Sequence, residues 1–138
     1  MNNAIFNQER PQNEHTLSYA PGCKERKGLN AELDRLSSEI QDIPLIIGGK
    51  EIRTGKTGKV VMPHDHNHVL ANYHIAGEAE VKMAIDAALK AHREWESFPW
   101  VDRVSITLKA AELLSKKYRY LINAATMLGQ GKSAFQAE

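Results

Sequence analysis

Cysteine is nearly missing: Cys23 is the single one in 138 residues, so no internal disulfide can form and a reducing compartment suits the chain. An excess of charge is missing too. The 18 Lys and Arg stand against 17 Asp and Glu, a balance that neither neutralises a phosphate backbone nor holds an anionic membrane, so neither nucleic acid nor membrane is an expected partner. No apolar run approaches the roughly 18 residues that cross a bilayer. The opening Met1-Asn2-Asn3-Ala4-Ile5-Phe6-Asn7 has neither a basic region ahead of an apolar core nor the Arg-rich, acid-poor character of a transit peptide. The expected location is the cytoplasm. What is present, 42% hydrophobic and 25% charged residues, is the composition of an ordinary globular protein with room for one compact domain.

Four segments follow from patterning. Residues 1–22 are polar, hold Pro11, Pro21 and Gly22, and show no sustained period, which reads as an extended arm with apolar points at Ile5, Phe6, Leu17 and Tyr19. In 23–42, Leu29, Leu33, Leu36 and Ile40 make the stripe of an amphipathic helix that ends before Ile43-Pro44. The segment 43–76 reads as a strand region. A hairpin joins Leu45-Ile46-Ile47-Gly48 to Glu51-Ile52-Arg53 through Gly49-Lys50, Thr57 to Met62 and Val69 to Ala76 are further strands, and Pro63 to His68 links those two. From Gly77 to Glu138 the period is helical, with helices expected over 79–97, 101–118 and 119–128. Breakers stand at Phe98-Pro99-Trp100 and Gly129-Gln130-Gly131, and a fourth helix opens at Lys132. The aromatics Trp95, Phe98, Trp100 and Tyr118 are expected to clamp the first helical corner. An arm with nothing to lie on, strands without a partner sheet and an ending inside a helical pattern read as the opening part of a longer protein.

Three constellations could carry chemistry. On a strand, His64, His66 and His68 would share a face, with Asp65 between them and His74 beyond, as imidazole ligands for zinc, copper or nickel; the other reading is a solvated turn. Gly129-Gln130-Gly131-Lys132-Ser133 fails the phosphate-loop pattern, since Thr126 stands at the first glycine and a helix rather than a strand precedes. What survives is a helix stop and a helix start with amides that attract an anion weakly. Cys23 would be a nucleophile if the helix N-terminus, Lys24 and Arg26 lowered its pKa; otherwise it is a small residue opening a helix.

Several stretches in order resemble the aldehyde dehydrogenase family: Ile43-Pro44-Leu45-Ile46-Ile47-Gly48-Gly49-Lys50-Glu51, Met62-Pro63-His64-Asp65-His66-Asn67-His68-Val69-Leu70-Ala71, and Ala84-Ile85-Asp86-Ala87-Ala88-Leu89-Lys90-Ala91-His92-Arg93-Glu94-Trp95. Asp102-Arg103, Leu108 to Ser115, and Met127 to Ser133 with Gln136-Ala137-Glu138 resemble its 1-pyrroline-5-carboxylate dehydrogenase branch. At Cys23-Lys24 that branch more often has Ser-Pro. The resemblance implies an α/β fold of which this chain is the N-terminal part, incomplete on its own: extended arm, helix, small antiparallel strand set, then the helical start of the NAD-binding domain over 77–138. It implies a homo-oligomeric enzyme that oxidises L-glutamate γ-semialdehyde to L-glutamate with NAD, in proline degradation. The family's nucleophile, base, dinucleotide-binding crossovers and substrate-carboxylate loop lie beyond Glu138. No catalytic, cofactor-binding or metal residue is therefore expected in this chain, and Cys23 matches none of them. The histidine turn occurs in the family's members as well. Two rival readings are a non-catalytic module that docks on a dehydrogenase subunit and a metal binder using the histidine turn.

Overall fold

The structure is a computed structural model and describes Arg10 and residues 12–138. Ile5 and Phe6 of the expected arm lie outside the described residues. From Gln12 to Ala20 the chain has no regular secondary structure, and it reaches the first helix through a turn at Pro21-Gly22.

Helix α1 spans Lys24–Ser38. Its start follows from Cys23, whose Sγ accepts the Arg26 N–H at 3.3 Å in the place a serine oxygen usually takes. Its end falls four residues earlier than the apolar stripe predicts. Ser37 and Ser38 turn their hydroxyls back onto the carbonyls of Asp34 and Arg35 at 3.1 and 2.9 Å, and Glu39 is extended with φ −125° and ψ 130°. Ile40 therefore leaves the helix stripe and is 61% exposed.

The residues after it form a strand that patterning missed: β1, Gln41–Ile43. Strands β2 (Leu45–Ile47) and β3 (Lys50–Ile52) close the expected hairpin one residue earlier than Gly49-Lys50, over Gly48-Gly49, whose φ values of 57° and 76° suit glycine. Strand β4 is Thr57–Met62 and β5 is Asp65–His74. The link between them is only Pro63-His64, so Asp65 to His68, expected in the connection, belong to the strand. The three-stranded sheet has the order β1-β5-β4. β4 lies antiparallel to β5, with register shifts around Val61, and β1 adds a parallel edge with Gln41 opposite Ala71.

Helix α2 is Glu78–Ser97. Helix α3 is Trp100–Glu112, and the expected helix over 101–118 changes character there: Leu113–Lys117 form one π-helical turn, ending at Tyr118 with φ −102° and ψ 6°. The chain restarts after it as α4, Arg119–Gln130. Gly129, read as a breaker, lies inside α4; the stop is Gly131, left-handed at φ 67°. The short α5, Ala134–Ala137, begins two residues later than expected because Ser133 caps it through the Gln136 N–H.

The main core forms where α1 crosses α4. Tyr19, Leu29 and Ala124 are buried, with Leu33, Leu36, Tyr120 and Met127 packed round them. Gly28 makes the crossing close, since a Cβ there would stand 2.6 Å from the Tyr120 ring. By contrast α2 and α3 bury none of their residues.

Candidate functional site

The strongest concentration of polar groups in the described residues surrounds Glu138, at the end of α5, whose side chain is 1% exposed. Its Oε1 accepts the Leu17 N–H at 2.7 Å and an Nη2–H of Arg119. Its Oε2 accepts the Tyr19 hydroxyl at 2.7 Å, Asn123 Nδ2 at 2.8 Å and Arg119 Nε at 3.2 Å. Arg119 also donates to the His15 carbonyl at 2.7 Å, and Asn123 donates to the Tyr19 oxygen at 3.0 Å. Local structure explains the convergence. The π turn sets Arg119 and Asn123 on one side of α4, the Ser133 cap aims α5 back at them, and the arm lays Leu17 and Tyr19 across both.

Burial pushes the Glu138 carboxyl up, but the hydrogen bonds from Arg119, Tyr19, the Leu17 amide and Asn123 outweigh it and hold the group down at about 2. Burial, and then the hydrogen bond to Glu138, push Tyr19 up to about 12. With five donors on its two oxygens, the carboxylate has no lone pair left for a proton in transit. It acts as a clasp that ties the arm to α4 and α5. Tyr19 is held at φ 50°, the one positive φ among the described non-glycine residues, a conformation that the clasp maintains against a steric cost of roughly 1–2 kcal/mol. A cleft of about 200 Å³ opens beside it, lined by Glu14, Leu114, Arg119, Ile122, Asn123 and Glu138.

The residues singled out by sequence fall elsewhere. His68 Nε2 donates to the Ser37 carbonyl at 2.9 Å, tethering β5 to the end of α1, while His64 and His66 are exposed. His74 accepts the Thr54 N–H on Nδ1 at 3.1 Å, so Nε2 carries the proton and donates to Asp42 at 3.3 Å. Asp42 in turn binds Arg53 at 2.7 Å, and that hydrogen bond keeps its carboxyl below the usual range. Among the described residues no three His, Cys, Asp or Glu side chains come together as metal ligands. Cys23 is a helix cap, and Lys132 and Ser133 lie between a helix stop and a capped helix start. Of the expected aromatic clamp, Trp95 and Phe98 pack at 6.1 Å and Trp100 lies at the same corner. Tyr118 sits at the other end of α3, with Lys117 5.0 Å from its ring centre. Sequence reasoning missed Glu138, Arg119 and Asn123. The one available signal was Asn123, a polar residue inside the apolar face of α4, buried to 6% exposure.

Comparison with known proteins places this arrangement. The model of the "Aldehyde dehydrogenase family" matches residues 51–138. The delta-1-pyrroline-5-carboxylate dehydrogenase of Agaricus bisporus is 50% identical over 127 residues, which are 91% of this chain and 23% of that protein. The probable enzyme of the same name from Schizosaccharomyces pombe is 46% identical, again over 91% of this chain and 23% of its own length. The crystal structure of the Mycobacterium tuberculosis Delta-pyrroline-5-carboxylate dehydrogenase bound with NAD matches with a TM-score of 0.94 at 39% identity, covering 99% of this chain and 26% of that one. The chain thus spans about a quarter of the length of the relatives it matches.

Proposed function

The chain belongs to the aldehyde dehydrogenase family, and from that premise we propose that the polypeptide carrying it oxidises L-glutamate γ-semialdehyde, the open form of 1-pyrroline-5-carboxylate, to L-glutamate in proline degradation. The observation that carries the reading is the 50% identity to a named 1-pyrroline-5-carboxylate dehydrogenase across 91% of the chain. The NAD complex of the mycobacterial neighbour supports NAD as the cofactor, which when bound takes up the hydride of the oxidised aldehyde.

The described residues do not fit the dinucleotide themselves. Gly129 to Ser133 join helix to helix, and no strand leads into a glycine-rich turn there. We therefore place the NAD contacts, the cysteine nucleophile and the base in the part of the relatives that this chain does not span. Cys23 caps α1, its sulfur accepting the Arg26 N–H, and we assign it that structural role. The role proposed for this chain is structural. The clasped arm, α1 and α4 form one packed unit, residues 77–138 open the NAD-binding domain, and the bare faces of α2 and α3 lie against the rest of it.

Among the described residues no helix is long and apolar enough to cross a membrane. We propose a homo-oligomer in the cytoplasm, without nucleic acid or membrane as partner. Relatives from Dictyostelium discoideum and Emericella nidulans have "mitochondrial" in their names, and cell fractionation decides between the two compartments. The function is tested by giving the whole polypeptide L-glutamate γ-semialdehyde and NAD. NADH formation with this substrate, well above that with a simple aliphatic aldehyde, is expected; no NADH would refute the reading.

A further inference from the structure

The corner between α2 and α3 holds a group out of keeping with its surroundings. Arg103 Nε is shielded from solvent, and among the described residues no acceptor meets it. A desolvated N–H on a charged group is costly when its hydrogen bond goes unmade, and native proteins leave few such groups. Beside it lies an open cleft of about 300 Å³, lined by Trp95, Trp100, Val104 and Thr107. The two indoles are 45% and 51% exposed, which is unusual for side chains of that size. Guanidinium and indole together suit one kind of visitor: a carboxylate that meets the unfilled Arg103 Nε–H, on a short aliphatic stem that packs against a ring face.

We propose that this corner receives an aspartate or glutamate side chain from the remaining three quarters of the same polypeptide. The inference rests on the proposed function only in taking the chain as part of a longer dehydrogenase, of which it covers 23 to 26% in its relatives. The greater length of the relatives points to the occupant, and the orphaned cationic donor sets its charge. Paired in this way, Arg103 fastens the α2–α3 corner to the body of the enzyme.

The test uses the whole polypeptide carrying Arg103→Lys, treated with a water-soluble carbodiimide and mapped by mass spectrometry. The new amine is expected to form an amide with a carboxylate lying outside residues 1–138 of the same subunit, with isotope-mixed subunits excluding a link between copies. Coupling only to Glu94, Glu96 or Asp102, a link between copies, or no link would overturn the proposal. Wild-type protein gives a second readout that needs no substitution. Phenylglyoxal is expected to modify Arg103 about tenfold more slowly than exposed Arg26, equivalent to ~1.4 kcal/mol of protection, and equal rates would overturn it. NADH formation is measured on the same wild-type sample. Activity without the cross-link sinks the corner alone, while the cross-link without activity sinks the proposed function alone.

Discussion

Removing the charge of Glu138 strands Arg119, whose side chain is 15% exposed, without its counter-ion and loosens three further donors at once. Breaking a buried pair from one side costs roughly 3–5 kcal/mol. In the whole polypeptide, Glu138→Gln is expected to speed hydrogen exchange of the Leu17 amide by about a hundredfold, while amides in α2, which contributes no residue to the clasp, keep their rates. Equal exchange in both proteins would mean that the clasp does not hold the arm. Acid offers the same test without a mutation. The folded carboxyl sits at about 2 against 4.5 when free, so its contribution is complete above pH 4.5 and fades as pH falls toward 2. Protection of Leu17, corrected for intrinsic exchange, should decline across that window, and a flat profile would contradict the assignment. Tyr19, raised from 10.0 to about 12, has the opposite sense: its neutral form is favoured by folding, so stability is complete below pH 10 and fades above it. Apart from Asn123, a polar residue in the apolar face of α4, none of this was legible in the sequence. Glu138 and Leu17 stand 121 positions apart, and periodicity reports only on neighbours within a turn or two.

At the scale of elements, local chemistry was a better guide. β4 over Thr57–Met62 and the presence of the hairpin, though with its turn one residue late, were legible because alternation and glycine turns are local signals. β1 was not, because three residues continuing a helical stripe pair with β5 only through tertiary contact, and neither was the π turn, whose LLSKK sequence carries no breaker. Two glycines can be tested here. Gly131 stops α4 at φ 67°, so Gly131→Val is expected to destabilise the protein by roughly 1–2 kcal/mol through backbone strain. Thermal melting checks it, and a variant that melts like wild type but binds NAD more weakly would make the loop a cofactor contact instead. Gly28→Leu should be worse, since even a Cβ would press on the Tyr120 ring at 2.6 Å; overpacking of this kind costs roughly 1–3 kcal/mol. Gly28→Ala, which a slight rotation of Tyr120 can accommodate, is expected to fall between the two proteins in melting temperature.

For the whole molecule, the bare faces of α2 and α3 decide the behaviour of the isolated chain. Val81, Ile85 and Leu89 lie on one side of α2 and are 51, 54 and 68% exposed, and Ile106 and Leu108 on α3 are 51 and 47% exposed. Each such side chain forgoes part of the roughly 1.5–3 kcal/mol that full burial gives, against a net stability of about 5–15 kcal/mol for an entire domain. The 138-residue chain alone is therefore expected to melt without a sharp transition and with weak near-UV circular dichroism from Trp95 and Trp100. A cooperative monomeric transition would instead favour the docking-module reading. The central claim, that this quarter of a dehydrogenase supplies scaffold and not chemistry, is tested most directly by NADH formation from L-glutamate γ-semialdehyde in the whole polypeptide carrying Cys23→Ala. The account predicts the wild-type rate, because Cys23 caps α1 and the nucleophile lies elsewhere. A correctly folded variant with its activity abolished would make Cys23 catalytic and contradict it.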